Sequence, residues 1–317
     1  MVEVQEQVGA DLHLAAEQNC WSVVSTCLLL LCASSPHLKR PAEQKAQSSL
    51  QGRGGGGRHG KELALLRHLL ETATPGDARS VLAAVDSFSS GESAAGGVAS
   101  WSKCSGAEKA MVLAAAVVGA PAGGEVLEVG TYCGYSAARL ALELPGVRVS
   151  ALELDPVNVV VARNLLALAG LTQQVQVWTG HSRVVIPRLA ERRRQGWLAR
   201  FSAVFMDRWG SQYCEDLAEL QKQDLMLPGA ALVADNVLRT GATLFLWHVA
   251  NMASCFKSQV VQVREASGFA EDWMSVSVLM PTASSRNMSP EGGQGLRSDG
   301  VFLPGVPIGE RGVPVPV

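Results

Sequence analysis

Asp207, Asp235 and Asn236 are the side chains in this sequence best placed for chemistry, because each follows directly on an apolar run. Residues 203–206 read Ala-Val-Phe-Met before Asp207, and residues 230–234 read Ala-Ala-Leu-Val-Ala before Asp235-Asn236. If both runs are strands, their ends present two carboxylates and an amide carbonyl side by side. An all-oxygen set of this kind suits a hard cation, which keeps further positions for water or a second ligand. Any one of the three alone would read as a helix cap. Three together, at neighbouring strand ends, point to the crevice where open α/β sheets bind ligands.

A second group lies upstream. Residues 125–136 read Glu-Val-Leu-Glu-Val-Gly-Thr-Tyr-Cys-Gly-Tyr-Ser. The apolar run stops at Gly130, and Gly134 precedes a helical pattern that opens at Ser136. A strand, a tight turn and a helix N-terminus form a ready ligand site, since the helix dipole and free N–H groups point at the bound group. Taken alone, the stretch also reads as a turn that binds nothing. About 20 residues further on, the next apolar run ends Leu152-Glu153-Leu154-Asp155. A carboxylate at that distance is placed for ribose hydroxyls. Glu153 suits this better than Asp155, which is better placed to cap the following helix; the plain alternative for Glu153 is an acid favoured by a helix N-terminus. The glycine spacing lacks the central glycine that a pyrophosphate requires, which disfavours a nicotinamide dinucleotide. A ribose-bearing cofactor without phosphate fits better, and S-adenosyl-methionine is one.

These groups need a scaffold, and the hydrophobic periodicity supplies it. Three helical patterns come first, over residues 61–72, about 78–88 and 106–118. From residue 126 onward, strand and helix alternate: strands at 126–129, 147–154, 175–179, 203–206 and 230–234, helices at 136–144, 157–169, 183–194, 213–225 and 241–252. Two late strands, 259–264 and 273–279, have no helix between them. Alternation predicts an α/β fold with a mostly parallel sheet covered on both faces, and the late pair predicts an antiparallel hairpin at one edge. The folded region is expected over residues 60–280. Residues 1–59 read as a poorly ordered extension, and residues 281–317, rich in Pro, Gly and Ser, as a disordered tail.

Composition narrows the class. The 317 residues carry a net charge of −2, which excludes the basic footprint of a nucleic-acid binder. Seven scattered cysteines without a Cys-x-x-Cys pair make a poor disulfide framework and suggest a reducing, cytoplasmic location. The apolar stretch from Trp21 to Ala33 is shorter than the roughly 20 residues needed to span a bilayer. Acidic residues precede it where a secretory signal carries positive charge. It remains a weak candidate for targeting or membrane association. A monomer is expected.

The sequence resembles the catechol O-methyltransferases, magnesium-dependent enzymes that use S-adenosyl-methionine. The matching stretches are Pro75-Gly76-Asp77, residues 126–136, Glu153, Gly180-His181-Ser182 with Ile186-Pro187, Asp207-Arg208-Trp209 with Tyr213, and residues 234–237 with Gly241. The resemblance implies a single Rossmann-like methyltransferase domain with a seven-stranded sheet. It implies that Asp207, Asp235 and Asn236 bind magnesium and serve the reaction, Asn236 also touching substrate. Glu153 matches the ribose ligand and Ser182 an adenine contact. Gly130, Tyr132 and Ser136 match the pocket for the methionine end, with Gly134 and Tyr135 in the same turn and Glu128, Asp207 and Trp209 bordering it. Trp101 and Trp209 match aromatic walls for a catechol ring.

The chain departs from the pattern in four places. The family's catalytic lysine is replaced by Gly210, a histidine by Arg208 and a wall proline by Thr240. A late glutamate falls near residues 261–263, with Glu265 the nearest acid. A lysine at position 210 is then expected to restore a proton acceptor, unless the glycine is needed for a positive φ. The implied function is transfer of a methyl group from S-adenosyl-methionine to a small catechol-type substrate. The alternative is a catalytically impaired homologue that binds cofactor and acts as a binding or assembly partner.

Overall fold

A computed structural model describes residues 59–90, 107–239, 241–264 and 271–280. The N-terminal apolar stretch, Trp101, Thr240, Glu265 and the C-terminal tail lie outside the described residues. Three helices come first: α1 (Gly60–Thr72), α2 (Ala78–Ser90) and α3 (Ala107–Val118). The alternating region follows as β1 (Glu125–Val129), α4 (Tyr135–Glu143), β2 (Val149–Glu153), α5 (Pro156–Leu168), β3 (Val175–Thr179), α6 (Ser182–Arg194) and β4 (Phe201–Met206). A 3-10 turn (Gly210–Gln212) leads into α7 (Tyr213–Lys222), then β5 (Met226–Ala234), α8 (Thr243–Asn251), β6 (Phe256–Arg264) and β7 (Glu271–Leu279).

The strands form a seven-stranded sheet in the order β3-β2-β1-β4-β5-β7-β6. β1 runs parallel to β4, β2 to β3 and β4 to β5, while β7 is antiparallel to both β5 and β6. The expected edge hairpin is present. Every residue of β1 and of β4 is buried, as a strand covered on both faces requires. Strand order reverses at β1, and open α/β sheets bind ligands past the strand ends at such a reversal.

By internal contacts the chain divides into two compact units, Met1–Ser105 with Gly130–Val185, and Gly106–Val129 with Ile186–Val317. In the first, α5 shows how sequence sets local structure. Asp155 accepts a hydrogen bond from Val157 N at 2.9 Å, and Pro156 occupies the first turn, where its missing N–H costs nothing. Val159, Val160, Val161 and Leu165 then fill the core at 0–1% exposure. In the second, the β6–β7 pair aligns Ser258 with Ser277, whose hydroxyls meet at 2.9 Å.

Candidate functional site

The turn after β1 is fastened on several sides within the first unit. Gly130 N and Thr131 N both donate to Leu152 O, at 3.0 and 2.9 Å. Tyr132 has φ of 51°, rare for a bulky residue. Two bonds hold it there: its N donates to Glu153 Oε2 at 2.9 Å, and its hydroxyl donates to Glu62 Oε1 on α1 at 2.5 Å. Gly134 caps α4 with φ of 84°, and a Cβ there would meet the Ala162 Cβ of α5 at 3.1 Å. Glycine is required twice over, for its backbone conformation and for close packing. Tyr135 is buried and donates to Asp86 Oδ1 on α2 at 2.6 Å.

Glu153 stands at the end of β2. Its second oxygen accepts Asp155 N at 2.8 Å. Burial raises its carboxyl above the ordinary value, and the backbone donors of Asp155 and Tyr132 oppose that rise. Each carboxylate oxygen can take a further hydrogen bond, so acceptor capacity remains for a diol. Thr131 adds a buried hydroxyl with no hydrogen-bond partner among the described residues. These groups fit a ligand rich in hydroxyls. Ser136 and Ser182 are buried too, and Ser182 Oγ lies 3.5 Å from His181 Nδ1. The division of labour read from sequence between Glu153 and Asp155 holds for the cap.

The acidic group forms within the second unit. Met206 pairs with Ala234 in the β4–β5 register, so Asp207 and Asp235 each leave their strand one residue past that pair. Asp207 N donates to Val129 O at 3.0 Å and Asp235 N to Met206 O at 2.9 Å. Asn236 turns with φ of 59°, and its N donates to Asp235 Oδ1 at 2.8 Å. The sequence missed what grips Asp235 from the other side. Lys109 Nζ on α3 lies 2.6 Å from Asp235 Oδ2 and 2.8 Å from Asp272 Oδ2. A signal for it existed: Lys109 interrupts an apolar stripe that continues through Val112, Leu113 and Ala116. Asp272 stands opposite Val263, in the stretch where an acid was sought; Val261 and Val263 themselves are buried apolar residues.

The electrostatics are lopsided. Desolvation first, and the charge of Asp235 second, push the part-exposed Asp207 up to about 8. Glu128, fully buried in β1, and Asp272 act in the same direction, while Lys109 opposes them. Burial likewise raises Asp235 against the pull of Lys109. Lys109 is lowered by desolvation, but its two aspartates more than compensate and hold it as an ammonium. Four carboxylates therefore face Lys109 and the more distant Arg239, 3.8 Å from Asp272 and mostly exposed. An oxygen set with negative charge in excess fits a hard divalent cation. No group of three or more His, Cys, Asp or Glu able to hold a metal occurs among the described residues. The set here differs in that its third member is an amide.

The loop after β4 carries the departures. Arg208 is turned to Asp216 on α7, with Nη1 3.1 Å from Oδ2. Trp209 is 81% exposed, open for an aromatic contact. Gly210 does not have the positive φ that sequence reasoning allowed for. Its constraint is steric: a Cβ there would lie 2.9 Å from Ala242 Cα and 3.0 Å from Ala242 N, and closer still to Ala242 Cβ.

Among the described residues, no helix is long and apolar enough to cross a membrane. A family model described as O-methyltransferase matches residues 105–264, half of the chain. The chain is 36% identical over 221 residues to catechol O-methyltransferase B of Danio rerio, spanning 68% of this chain and 78% of that protein. It is 35% identical over 190 residues to catechol O-methyltransferase of Bos taurus, spanning 60% and 66%. It is 42% identical over 123 residues to a transmembrane O-methyltransferase homolog of Mus musculus, spanning 38% and 46%. With the parallel sheet, the β1 turn and the acidic strand ends already in place, these matches make the chain a member of the O-methyltransferase family, of the catechol O-methyltransferase-like kind.

Proposed function

We propose that this O-methyltransferase moves the methyl group of S-adenosyl-methionine to one hydroxyl of a catechol-type substrate, with Mg²⁺ bound. The observation that carries the reading is the pair Asp207 and Asp235, one residue past a matched strand pair, with Asn236 beside them and negative charge in excess. Glu153 would accept the ribose hydroxyls. Gly130, Tyr132, Gly134 and Ser136 would line the methionine end, and Ser182 would meet the adenine. Asp207, Asp235 and Asn236 would hold Mg²⁺, which supplies positive charge favouring the ionised form of a bound hydroxyl. Trp209, exposed as it is, would lie against the flat face of the ring.

The transfer balances simply. A bond forms between the methyl carbon and the substrate oxygen, the bond to sulfur breaks, and the sulfonium leaves as a neutral thioether. The hydroxyl proton must go elsewhere, and three positions around the oxygen set, among the described residues, do not take it. Gly210 has no side chain. Arg208 stays charged and is engaged by Asp216. Lys109 is already an ammonium between two aspartates. The proton therefore goes to solvent, at a cost of about 10²- to 10⁴-fold relative to an enzyme with a positioned base.

The same missing base is what favours a second reading, a chain that binds cofactor without turning it over. One experiment separates the two. Purified protein is incubated with methyl-labelled cofactor and a panel of catechols, with Mg²⁺ or with EDTA. Label in a catechol only when Mg²⁺ is present supports the enzyme. Bound cofactor with no label transferred at any pH supports the second reading, and transfer that survives EDTA overturns the metal's part.

A further inference from the structure

Tyr213 is the first residue of α7, fully buried, with its ring against Phe245 of α8 at 5.4 Å in an edge-on contact. Its apolar part needs no explanation beyond packing. Its hydroxyl does. The oxygen lies 3.0 Å from the Arg208 carbonyl and 3.2 Å from the Asp235 carbonyl, and it accepts Arg208 N–H at 3.2 Å. Arg208 directly follows Asp207, and Asp235 directly precedes Asn236. One buried hydroxyl thus touches the backbone of both loops that carry the oxygen set. The same turn of α7 supplies Asp216, which holds the Arg208 side chain at 3.1 Å. A phenylalanine would fill the same space without this link.

We infer that Tyr213 is a positioning residue: its hydroxyl fastens the loop after β4 to the loop after β5 and so fixes the oxygens of Asp207, Asp235 and Asn236 for a divalent cation. This rests on the metal reading above. The physical reason is pre-organisation. A cation held by side chains on two separate loops binds more weakly when the loops must be ordered at the moment of binding. A hydrogen bond shared between the two backbones keeps that ordering in place beforehand, and a hydroxyl buried from water holds it without competition from solvent. Lys109 joins the Asp235 side chain to Asp272, and Asn236 N binds the Asp235 side chain. Tyr213 ties the two loops to each other.

The test uses the full chain and Mn²⁺ as a spin-visible probe, with titration of free Mn²⁺ by electron paramagnetic resonance. The parent protein, Asp207→Ala, Tyr213→Phe and Phe245→Leu are compared, each with its melting midpoint and its S-adenosyl-methionine affinity by calorimetry. Tyr213→Phe should weaken Mn²⁺ binding at least fivefold while cofactor affinity stays within twofold. Phe245→Leu loosens the same ring contact but keeps the hydroxyl, so it should lower the melting midpoint and leave Mn²⁺ affinity unchanged. Equal Mn²⁺ affinity in Tyr213→Phe and parent overturns the inference while leaving the metal site intact. An equal loss in Tyr213→Phe and Phe245→Leu also overturns it, because general loosening then explains the effect. If the parent binds no more Mn²⁺ than Asp207→Ala, the metal reading itself fails, and the inference with it.

Discussion

At the scale of single residues, two charged side chains each hold more than one partner. The sequence proposes Glu153 as a ribose ligand, and in the structure its two oxygens accept Tyr132 N and Asp155 N. Glu153→Gln puts an amide NH₂ where one of those N–H groups needs an acceptor. We expect cofactor binding weaker by roughly 1–3 kcal/mol, together with a lower melting midpoint. Calorimetry finding full affinity would remove Glu153 from the cofactor site. Lys109 is the second case. Asp235 and Asp272 are 1% and 4% exposed, so taking away the ammonium strands two buried charges. Lys109→Met should cost about 3–5 kcal/mol in denaturant unfolding, and adding Asp272→Asn should recover part of it. Equal stability of Lys109→Met and parent would mean that the aspartates find water or another cation.

At the scale of elements, periodicity identified every strand and helix of the alternating region, with ends shifted by a few residues. The largest shifts show what sequence cannot supply. β5 begins at Met226 rather than Ala230, because Phe201 pairs with Met226 across an irregular step in which Pro228 and Gly229 break the apolar pattern. The placement of Asp207 and Asp235 past their strand ends was legible because each follows an apolar run that forms a buried strand. Lys109 was legible as a break in an apolar stripe, but its partners were not, since they lie 126 and 163 residues away in sequence. Gly210 is the instructive error. Sequence reasoning treats it as an empty place for a base, whereas Ala242 fills the space where any side chain would begin. Gly210→Lys should therefore not raise the rate at neutral pH. It should destabilise the chain by about 1–3 kcal/mol, and Gly210→Ala should do nearly the same, because the clash begins at Cβ. A Gly210→Lys protein that melts like the parent and works faster at pH 7 would show that the 241–242 segment yields easily.

At the scale of the molecule, the second unit gathers buried carboxylates whose mutual repulsion a bound cation would relieve. Asp207 sits at about 8 in the folded chain against an ordinary value of 3.8. Between those values the folded state keeps a proton that the unfolded state has lost. Its contribution to stability is complete below about 4 and disappears as pH rises toward 8, since stability falls with pH wherever the native state binds more protons. Exposed pairs such as Glu191 with Arg194 change little over this range, being screened by water. We therefore expect the chain in EDTA to melt at lower temperature at pH 8 than at pH 6. Asp207→Asn cannot ionise and should flatten that slope. A divalent cation binds the ionised form of the native state only, so added Mg²⁺ should raise the melting midpoint more at pH 8 than at pH 6. The comparison of slopes reads Asp207 together with its neighbour Asp235, whose titration responds to it, because parent and variant share every other titrating group. Parallel slopes for parent and Asp207→Asn would show that Asp207 is ionised in the folded chain throughout, with Lys109 or water meeting its charge.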